Sequence, residues 1–474
     1  MDLKCFDEIY ISNPIVTKNS ISSIYKLKSG GNIKEFKLEF RYSEPINIEN
    51  IEKLARMIVT MPVINYGLFT ESIFLDFEID KNDLKYLYDM LEITATDVFV
   101  NKICRRRAEF IKKEYLPKQE DIRIENAHNR AKIYCNISAS ESNYKADPDQ
   151  NKAAVLSSGG KESLLTYGLL KEIGAEVYPL FFNESGGHWR TAITAYREFS
   201  NTEINTKKVW SNIDRFYLFM LDNMKIIRSD YRSIRADTYP IRLFIFGPYI
   251  FSFLPLLLKY NIGNILLGSE YDDPRVPGVY ENIPHRYGIY DQSEEFDEYM
   301  TDYFFKKGFN IVQWSAVRPL YGLIVVRILS NRYPQLFKLQ RSCHSCHIED
   351  KEIIPCGECT KCLGVLSFVI ANGKDPRIIN YKNEHLQNFE KNINNTKLRL
   401  DDDEREHVFY ILNKMGYHIN GASHEHVEKL HFDNKNSKLN HIPEIYRDKL
   451  FKIYKEYTKG AVFLENNEFK EFIF

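Results

Sequence analysis

The sequence predicts an α/β fold: a parallel sheet with crossover helices, an N-terminal α+β domain and a zinc-binding segment toward the C-terminus. The apolar runs AAVLSS and AEVYPLFF alternate with the helical patterns LLTYGLLKEIG and HWRTAITAYREF. Strand–helix–strand alternation of this kind is typical of a parallel sheet. A glycine-rich turn joins the first run to the first helix, and five of the eight cysteines crowd into residues 343–362. The turn predicts a ligand site, and the cysteines predict a metal-binding segment.

The composition is that of a folded globular protein. The chain has 474 residues, of which 44% are hydrophobic and 14% aromatic, enough for more than one buried core. Its formal net charge of −1 argues against a nucleic-acid coat or a membrane-surface protein. The uncharged run Leu243–Leu258 contains two prolines and is short for a membrane span, so we predict a buried helix there. Without a signal pattern at its start, and with closely spaced cysteines, the chain is expected to be cytoplasmic.

Changes of pattern along the chain predict four regions. The alternating stretch Phe36–Tyr42 predicts a strand and Ile48–Met61 a helix, and the polar stretch Ser138–Asn151 predicts a linker. We expect an α+β domain at 1–148, an α/β core at 149–340, a cysteine segment at 341–384 and a helical extension at 385–474.

The candidate phosphate loop lies between the first strand of the core and its helix, at residues 157–163 (SSGGKES). Two glycines let the backbone approach an anion, and free amides at the helix N-terminus point toward it. Lys161 adds a positive charge, and the serine hydroxyls add donors. The long Walker spacing is absent. An ordinary strand-to-helix turn is the alternative, but this combination of residues favours nucleotide binding.

This loop resembles the SGGxDS motif of the PP-loop (N-type) ATP pyrophosphatases, with Glu162 where that family usually has Asp. The resemblance implies a Rossmann-like core of the adenine nucleotide alpha hydrolase type, which cleaves ATP to AMP and pyrophosphate and adenylates a carboxylate. Lys161 would stabilise the departing phosphates, and Glu162 would assist Mg²⁺. The residues expected to bind the nucleotide are Ser158, Gly159, Gly160, Lys161, Glu162 and Ser163.

The cysteine segment has the spacing of a zinc site. Thiolates two residues apart can converge on one tetrahedral ion, and Gly357 permits the tight turn between them. A structural zinc takes four ligands, so one cysteine is spare, and His344 and His347 are further candidates. An iron–sulfur cluster and unligated thiols are the alternatives. The candidate ligands are Cys343, Cys346, Cys356, Cys359 and Cys362.

The cysteine spacing after the loop is similar to that of 7-cyano-7-deazaguanine synthase, which converts a carboxylate to a nitrile with ATP and ammonia. That resemblance leaves Cys343 and Cys346 as candidates for the fourth ligand and favours Cys343. The chain also resembles UDP-N-acetylmuramoyl-alanyl-glutamate epimerase, through Arg318-Pro319-Leu320 and the run CGECTKC at 356–362. The resemblances imply an AMP-forming ligase or an adenylation-driven epimerase. A non-catalytic nucleotide-binding zinc scaffold is the alternative from another class.

Further candidates follow the predicted strands, whose carboxyl ends form the binding edge of an α/β sheet. Glu270 ends the predicted strand NILLGSE and Asp273 follows three residues later, where acids would hold magnesium or a substrate amine. Arg242 and Arg318 would orient a substrate carboxylate, although a plain helix-start arginine is the alternative for Arg242. The expected partner is a small-molecule carboxylate with ammonia as co-substrate. A homodimer and a protein partner docked on the N- or C-terminal region remain open.

Overall fold

The computed structural model describes residues 1–105, 109–138, 144–234, 239–275, 278–286, 288–343, 345–398 and 400–473, so part of the expected linker and His344 lie outside the described residues. The strands are β1 (Phe6–Ile11), β2 (Ile15–Val16), β3 (Ser20–Ser29), β4 (Asn32–Tyr42), β5 (Thr70–Ile79), β6 (Lys132–Ile137), β7 (Asp149–Leu156), β8 (Glu176–Asn183), β9 (Lys207–Ser211), β10 (Ile262–Leu266), β11 (Val279–Tyr280), β12 (Ile283–Pro284), β13 (Val312–Trp314), β14 (His347–Glu349), β15 (Glu352–Ile354), β16 (Leu430–Phe432), β17 (Ala461–Glu465) and β18 (Glu468–Phe472). The helices are α1 (Ile51–Thr60), α2 (Lys81–Val98), α3 (Lys161–Glu172), α4 (His188–Thr202), α5 (Ile213–Asp222), α6 (Phe246–Lys259), α7 (Glu294–Lys306), α8 (Gly322–Arg332), α9 (Pro334–Phe337), α10 (Thr360–Ala371), α11 (Asn383–Gln387), α12 (Phe389–Asn394), α13 (Asp402–Lys414) and α14 (Glu444–Lys455).

One large mixed sheet organises the molecule, in the order β13-β10-β7-β8-β9-β4-β3-β1-β5-β6, with β2 paired to β3. The strands β13, β10, β7, β8 and β9 run parallel to one another. β4 then pairs antiparallel with β9, for example Arg41 opposite Trp210. The predicted α/β class with a mostly parallel sheet is confirmed. The strands β1–β6 of residues 1–148 and the strands β7–β10 and β13 of residues 149–340 therefore share one hydrogen-bonded sheet, whereas β11 and β12 pair separately.

The parallel part of the sheet lies between two hydrophobic cores. Along β7, Ala153 and Val155 pack in one core, whereas Ala154 packs in the other. Because alternate side chains of a strand point to opposite faces, this division means that β7 is covered on both sides, as parallel sheets require.

Local patterns predicted several elements well. The alternating stretch at Phe36–Tyr42 lies in β4, and the helical pattern at Ile48–Met61 contains α1. The apolar run at Leu243–Leu258 overlaps α6, a buried helix despite Pro255 in its interior. Within the described residues, no helix combines the length and hydrophobicity needed to cross a membrane.

The extension at 385–474 contains a three-stranded sheet, β16-β17-β18, as well as helices. The expectation of a helical extension therefore needs correction. β17 and β18 form a hairpin whose turn residues, Asn466 and Asn467, have φ angles of 51° and 65°. Asparagine tolerates this left-handed conformation, which tight hairpin turns require, so the pair Asn-Asn was the sequence signal for these strands.

Candidate functional site

A cavity of about 670 Å³ opens at the carboxyl ends of β7, β8 and β10. This is the edge of an α/β sheet at which ligands bind. Its polar lining includes the glycine-rich loop, Glu184 after β8, Glu270 after β10, and Thr360 and Lys361 at the start of α10. The predicted loop and the end of the cysteine segment thus face the same space.

The backbone conformation of the loop depends on its first glycine. Gly159 has a φ of +76°, and a Cβ atom there would lie 2.6 Å from the carbonyl oxygen of Thr191 in α4. Glycine alone fits both the left-handed backbone and the close approach. The Gly160 amide donates to Ser158 Oγ at 3.3 Å, and Ser163 Oγ donates to the Gly160 carbonyl at 3.2 Å. The loop is therefore tightly folded at the N-terminus of α3.

The N-terminus of α3 contributes partial positive charge to the cavity. The helix begins at Lys161, directly after the extended Gly160. The first amides of an α-helix have no partner within the helix, and the aligned peptide dipoles add partial positive charge. Such a terminus, beside a glycine loop and inside a cavity, is suited to hold a phosphate group.

Lys161 lies between two carboxylates. Its Nζ is 2.6 Å from Glu162 Oε1 and forms a second ion pair with Glu270. Burial, with a smaller contribution from the Glu162 charge, raises the pKa of Glu270 to about 7, although Lys161 opposes this shift. Burial also disfavours the charge of Glu162, but the Lys161 ammonium holds the pKa of that carboxyl below its usual value. An oxygen-seeking cation could therefore replace the proton on Glu270.

Arg242 lies in a buried polar cluster behind the cavity wall. Its guanidinium carbon is 3.7 Å from the ring centroid of Tyr239, and its Nη1 donates to Asp214 at 3.4 Å. Glu184, which lines the cavity, accepts a hydrogen bond from Tyr249 and lies 4.0 Å from Arg242 Nη2. Arg242 thus faces the site through Glu184 and is not one of the described residues that line the cavity.

Arg318 and Asp273 are placed in the protein interior. Arg318 is 1% exposed, forms an ion pair of 2.8 Å with Asp297 and donates to the Gln292 carbonyl. Asp273 accepts hydrogen bonds from the side chain of Arg275 through both carboxylate oxygens. Neither is among the described residues that line the cavity, in contrast to Glu270. Their partners explain both placements, since a buried charge requires an opposite charge.

Four cysteines form a group that can hold a metal ion. Ligand atoms of Cys343, Cys356, Cys359 and Cys362 lie within 4.8 Å of one another. The Cys343–Cys359 and Cys356–Cys362 sulfurs are 3.9 and 3.8 Å apart. Four sulfurs bound to zinc at about 2.3 Å in a tetrahedron are separated by about 3.8 Å, so the spacing fits a zinc ion. Cys346 is not a member of this group among the described residues.

The geometry of the cysteine turn brings Lys361 to the cavity. Gly357 has a φ of +74°, which allows the turn between Cys356 and Cys359. Cys359 Sγ accepts from the Cys362 amide at 3.4 Å and caps the N-terminus of α10. Lys361 follows in the first turn of this helix and lines the cavity. Sequence reasoning missed Lys361, although its place between two ligand cysteines was a usable signal.

His347 lies in the short strand β14 and pairs with Glu349, outside the four-cysteine group. His188, by contrast, lies at the start of α4 and lines the cavity. Burial, together with the nearby charge of Arg242, lowers its pKa to about 3. The imidazole is therefore neutral at physiological pH.

Comparisons with protein-family models, with curated proteins and with solved structures find no match for this chain. The geometry of the cavity, the loop and the cysteine group is therefore the basis for assigning a function.

Proposed function

We propose that the chain is an ATP-dependent enzyme with a PP-loop core, which adenylates a small carboxylate and releases pyrophosphate. The observation that carries the proposal is the position of the loop. A glycine held in the left-handed conformation leads into a helix N-terminus, on the floor of a cavity that also holds Lys161 and two carboxylates. These are the parts needed to bind a magnesium polyphosphate.

In the proposed reaction, an oxygen of the substrate carboxylate forms a bond to the α-phosphorus of ATP. The bond from that phosphorus to the oxygen bridging it to the β-phosphate breaks, and pyrophosphate departs with the electron pair. Lys161 and the first amides of α3 would stabilise the charge that builds on the departing phosphates. Glu162 and Glu270 would hold Mg²⁺, which neutralises charge on the same oxygens. Ammonia would then displace AMP from the acyl adenylate to give an amide.

The zinc ion is assigned a structural role. Four thiolates fill a tetrahedral coordination sphere and leave no open position for a substrate. The group fixes the turn that carries Thr360 and Lys361 into the lining of the cavity. Lys361 would add a positive charge opposite the loop, where it can contact a phosphate or a substrate anion.

The part of the cavity wall formed by β8 and α6 supports a planar substrate or base. The rings of Phe182 and Tyr249 are stacked, with centroids 4.3 Å apart, and both residues line the cavity beside Glu184. A flat ring with N–H donors suits an apolar wall next to a carboxylate. His188, with its low pKa, is a poor base for abstracting a Cα proton, which favours amide or nitrile formation over epimerisation.

The test is release of AMP and pyrophosphate from Mg·ATP by the zinc-loaded protein, with and without a panel of carboxylates. The panel includes 7-carboxy-7-deazaguanine and UDP-N-acetylmuramoyl-alanyl-glutamate. We expect pyrophosphate release that depends on one of them, and a loss of about 100-fold or more in Lys161→Met. Lys171→Met is the matched control, because Lys171 lies on the same helix but pairs with Glu203 at the surface. Release of phosphate, or no turnover with any substrate, would overturn the proposal.

A further inference from the structure

A second group of metal-type side chains lies in the C-terminal extension. Asp403 is in the first turn of α13, and His424 and His426 lie in the segment before β16. One ligand atom from each residue falls within 4.8 Å of the other two. None of the three is among the described residues that line the cavity. The group is therefore separate from the site assigned above.

The distances fit a shared ion. His426 Nε2 is 2.9 Å from Asp403 Oδ2, and His424 Nδ1 is 3.5 Å from Asp403 Oδ1. Nitrogen and oxygen ligands bound to one ion at about 2.0–2.2 Å are separated by about 3–3.5 Å at the usual bond angles. The side chains of Asp403, His424 and His426 are 24%, 28% and 15% exposed, so water can reach the position between them.

The remaining ring nitrogens have partners of the kind that metal-bound histidines use. His424 Nε2 is 3.4 Å from Glu406 Oε2, and His426 Nδ1 is 3.1 Å from His431 Nε2. A histidine that binds a metal through one nitrogen usually donates its other N–H to a carboxylate or another acceptor. Such contacts set the tautomer, and here they leave His424 Nδ1 and His426 Nε2 as the ligand atoms.

Asp403 is oriented by Arg275, whose Nη2 lies 2.6 Å from Asp403 Oδ2. The guanidinium does not bring an uncompensated charge, because it also pairs with Asp273 at 2.5 Å. Asp403 Oδ1 remains directed toward His424. The His424 backbone is itself fixed, since its amide donates to His407 Nδ1 at 3.0 Å.

We propose that Asp403, His424 and His426 bind a divalent transition-metal ion, Zn²⁺ foremost, with water completing the coordination. Two imidazoles and a carboxylate select zinc and its neighbours over magnesium or calcium. The ion would join α13 to the segment before β16 and, through Arg275, to the loop that follows β10. This centre is independent of the four-cysteine group and of the proposed ATP chemistry.

The test is metal content and the cobalt spectrum of the full chain. At about 10 µM free zinc, well above the dissociation constants of built protein zinc sites, we expect two bound equivalents per chain. The double variant His424→Ala/His426→Ala should bind one, and Cys356→Ser should also bind one. His418→Ala is the control for loss of an exposed histidine in the same region and should bind two.

Cobalt gives a readout that needs no variant. Thiolate ligands produce an intense charge-transfer band with Co²⁺, which a site of nitrogen and oxygen ligands lacks. We expect the wild-type chain to take up a second Co²⁺ that adds visible absorption without adding to that band. One bound equivalent in the wild type, or two in a folded double variant, would overturn the proposal.

Discussion

Replacement of Gly159 by alanine tests both the geometry of the loop and its assigned role. Left-handed backbone costs an alanine about 1–2 kcal/mol. The new Cβ would also lie 2.6 Å from the Thr191 carbonyl oxygen, and that oxygen belongs to the backbone of α4. Because the helix cannot yield as a flexible side chain would, the loop must move, at a further cost of about 1–3 kcal/mol. We expect a total destabilisation of about 2–5 kcal/mol.

Gly174→Ala is the matched control. Gly174 follows the C-terminal end of α3 and has a φ of +88°, and none of the described residues has an atom within 4 Å of the Cβ that Gly174 lacks. Its replacement should cost only the backbone strain, about 1–2 kcal/mol. The difference between the two variants, measured by denaturant unfolding at fixed zinc, isolates the contact with Thr191.

Binding provides the second readout. Because the loop is displaced, Gly159→Ala should have a dissociation constant for Mg·ATP at least tenfold higher than that of the wild type in calorimetric titration. Gly174→Ala should bind Mg·ATP as the wild type does. If Gly159→Ala binds ATP normally and is no less stable than Gly174→Ala, the loop neither holds the phosphates nor needs its glycine, and the reasoning fails.

Three further outcomes are expected. Cys356→Ser should lose one zinc equivalent and unfold at a lower temperature, whereas Cys346→Ser should keep its zinc. Metal analysis and thermal unfolding measure the two effects. Equal loss of zinc in both variants would contradict the four-cysteine assignment. Because burial raises the pKa of Glu270 to about 7, this carboxylate should gain a proton as the pH falls below 7, and the apparent Mg²⁺ affinity in pyrophosphate release should fall with it. Glu270→Gln should remove that dependence between pH 6 and 8, and a profile like that of the wild type would exclude Glu270 as the titrating group. Lys361→Met should raise the KM for ATP about tenfold, which is the effect of losing one charge-assisted contact. Lys351→Met is the control and should leave the KM unchanged. Equal KM values for the two variants would remove Lys361 from the site.

The sequence predicted those parts of the site that depend on residues adjacent in the chain. The glycine loop lies at a strand-to-helix junction, as the pattern of residues 157–163 required. The cysteine spacing predicted a cluster and left Cys343 and Cys346, three positions apart, as candidates for the fourth ligand, with Cys343 favoured by the resemblance. The structure separates them. The Arg341 amide donates to the Gly159 carbonyl at 2.8 Å, which anchors the chain just before Cys343 to the loop.

Local sequence patterns did not predict the contacts between segments that are distant in the chain. The Arg-Pro element gave no indication that Arg318 pairs with Asp297 of α7, and nothing near Asp273 distinguished a metal ligand from the partner of Arg275. The pairing of β4 with β9 joins Tyr42 to Val209, and no periodicity within either strand encodes it. Long-range ion pairs and strand order come from the packing of the whole chain, which one sequence does not display.

The junction between β4 and β9 also bears on how the protein is made. During translation, strands β1–β6 are synthesised before β9. Until β9 is available, the edge of β4 that pairs with it therefore remains without a partner strand. An open edge invites pairing with other chains. A fragment ending at residue 148 should therefore aggregate when produced alone and remain dispersed when residues 149–474 are co-produced. The two halves of the sheet are thus partners in folding as well as neighbours in the finished molecule.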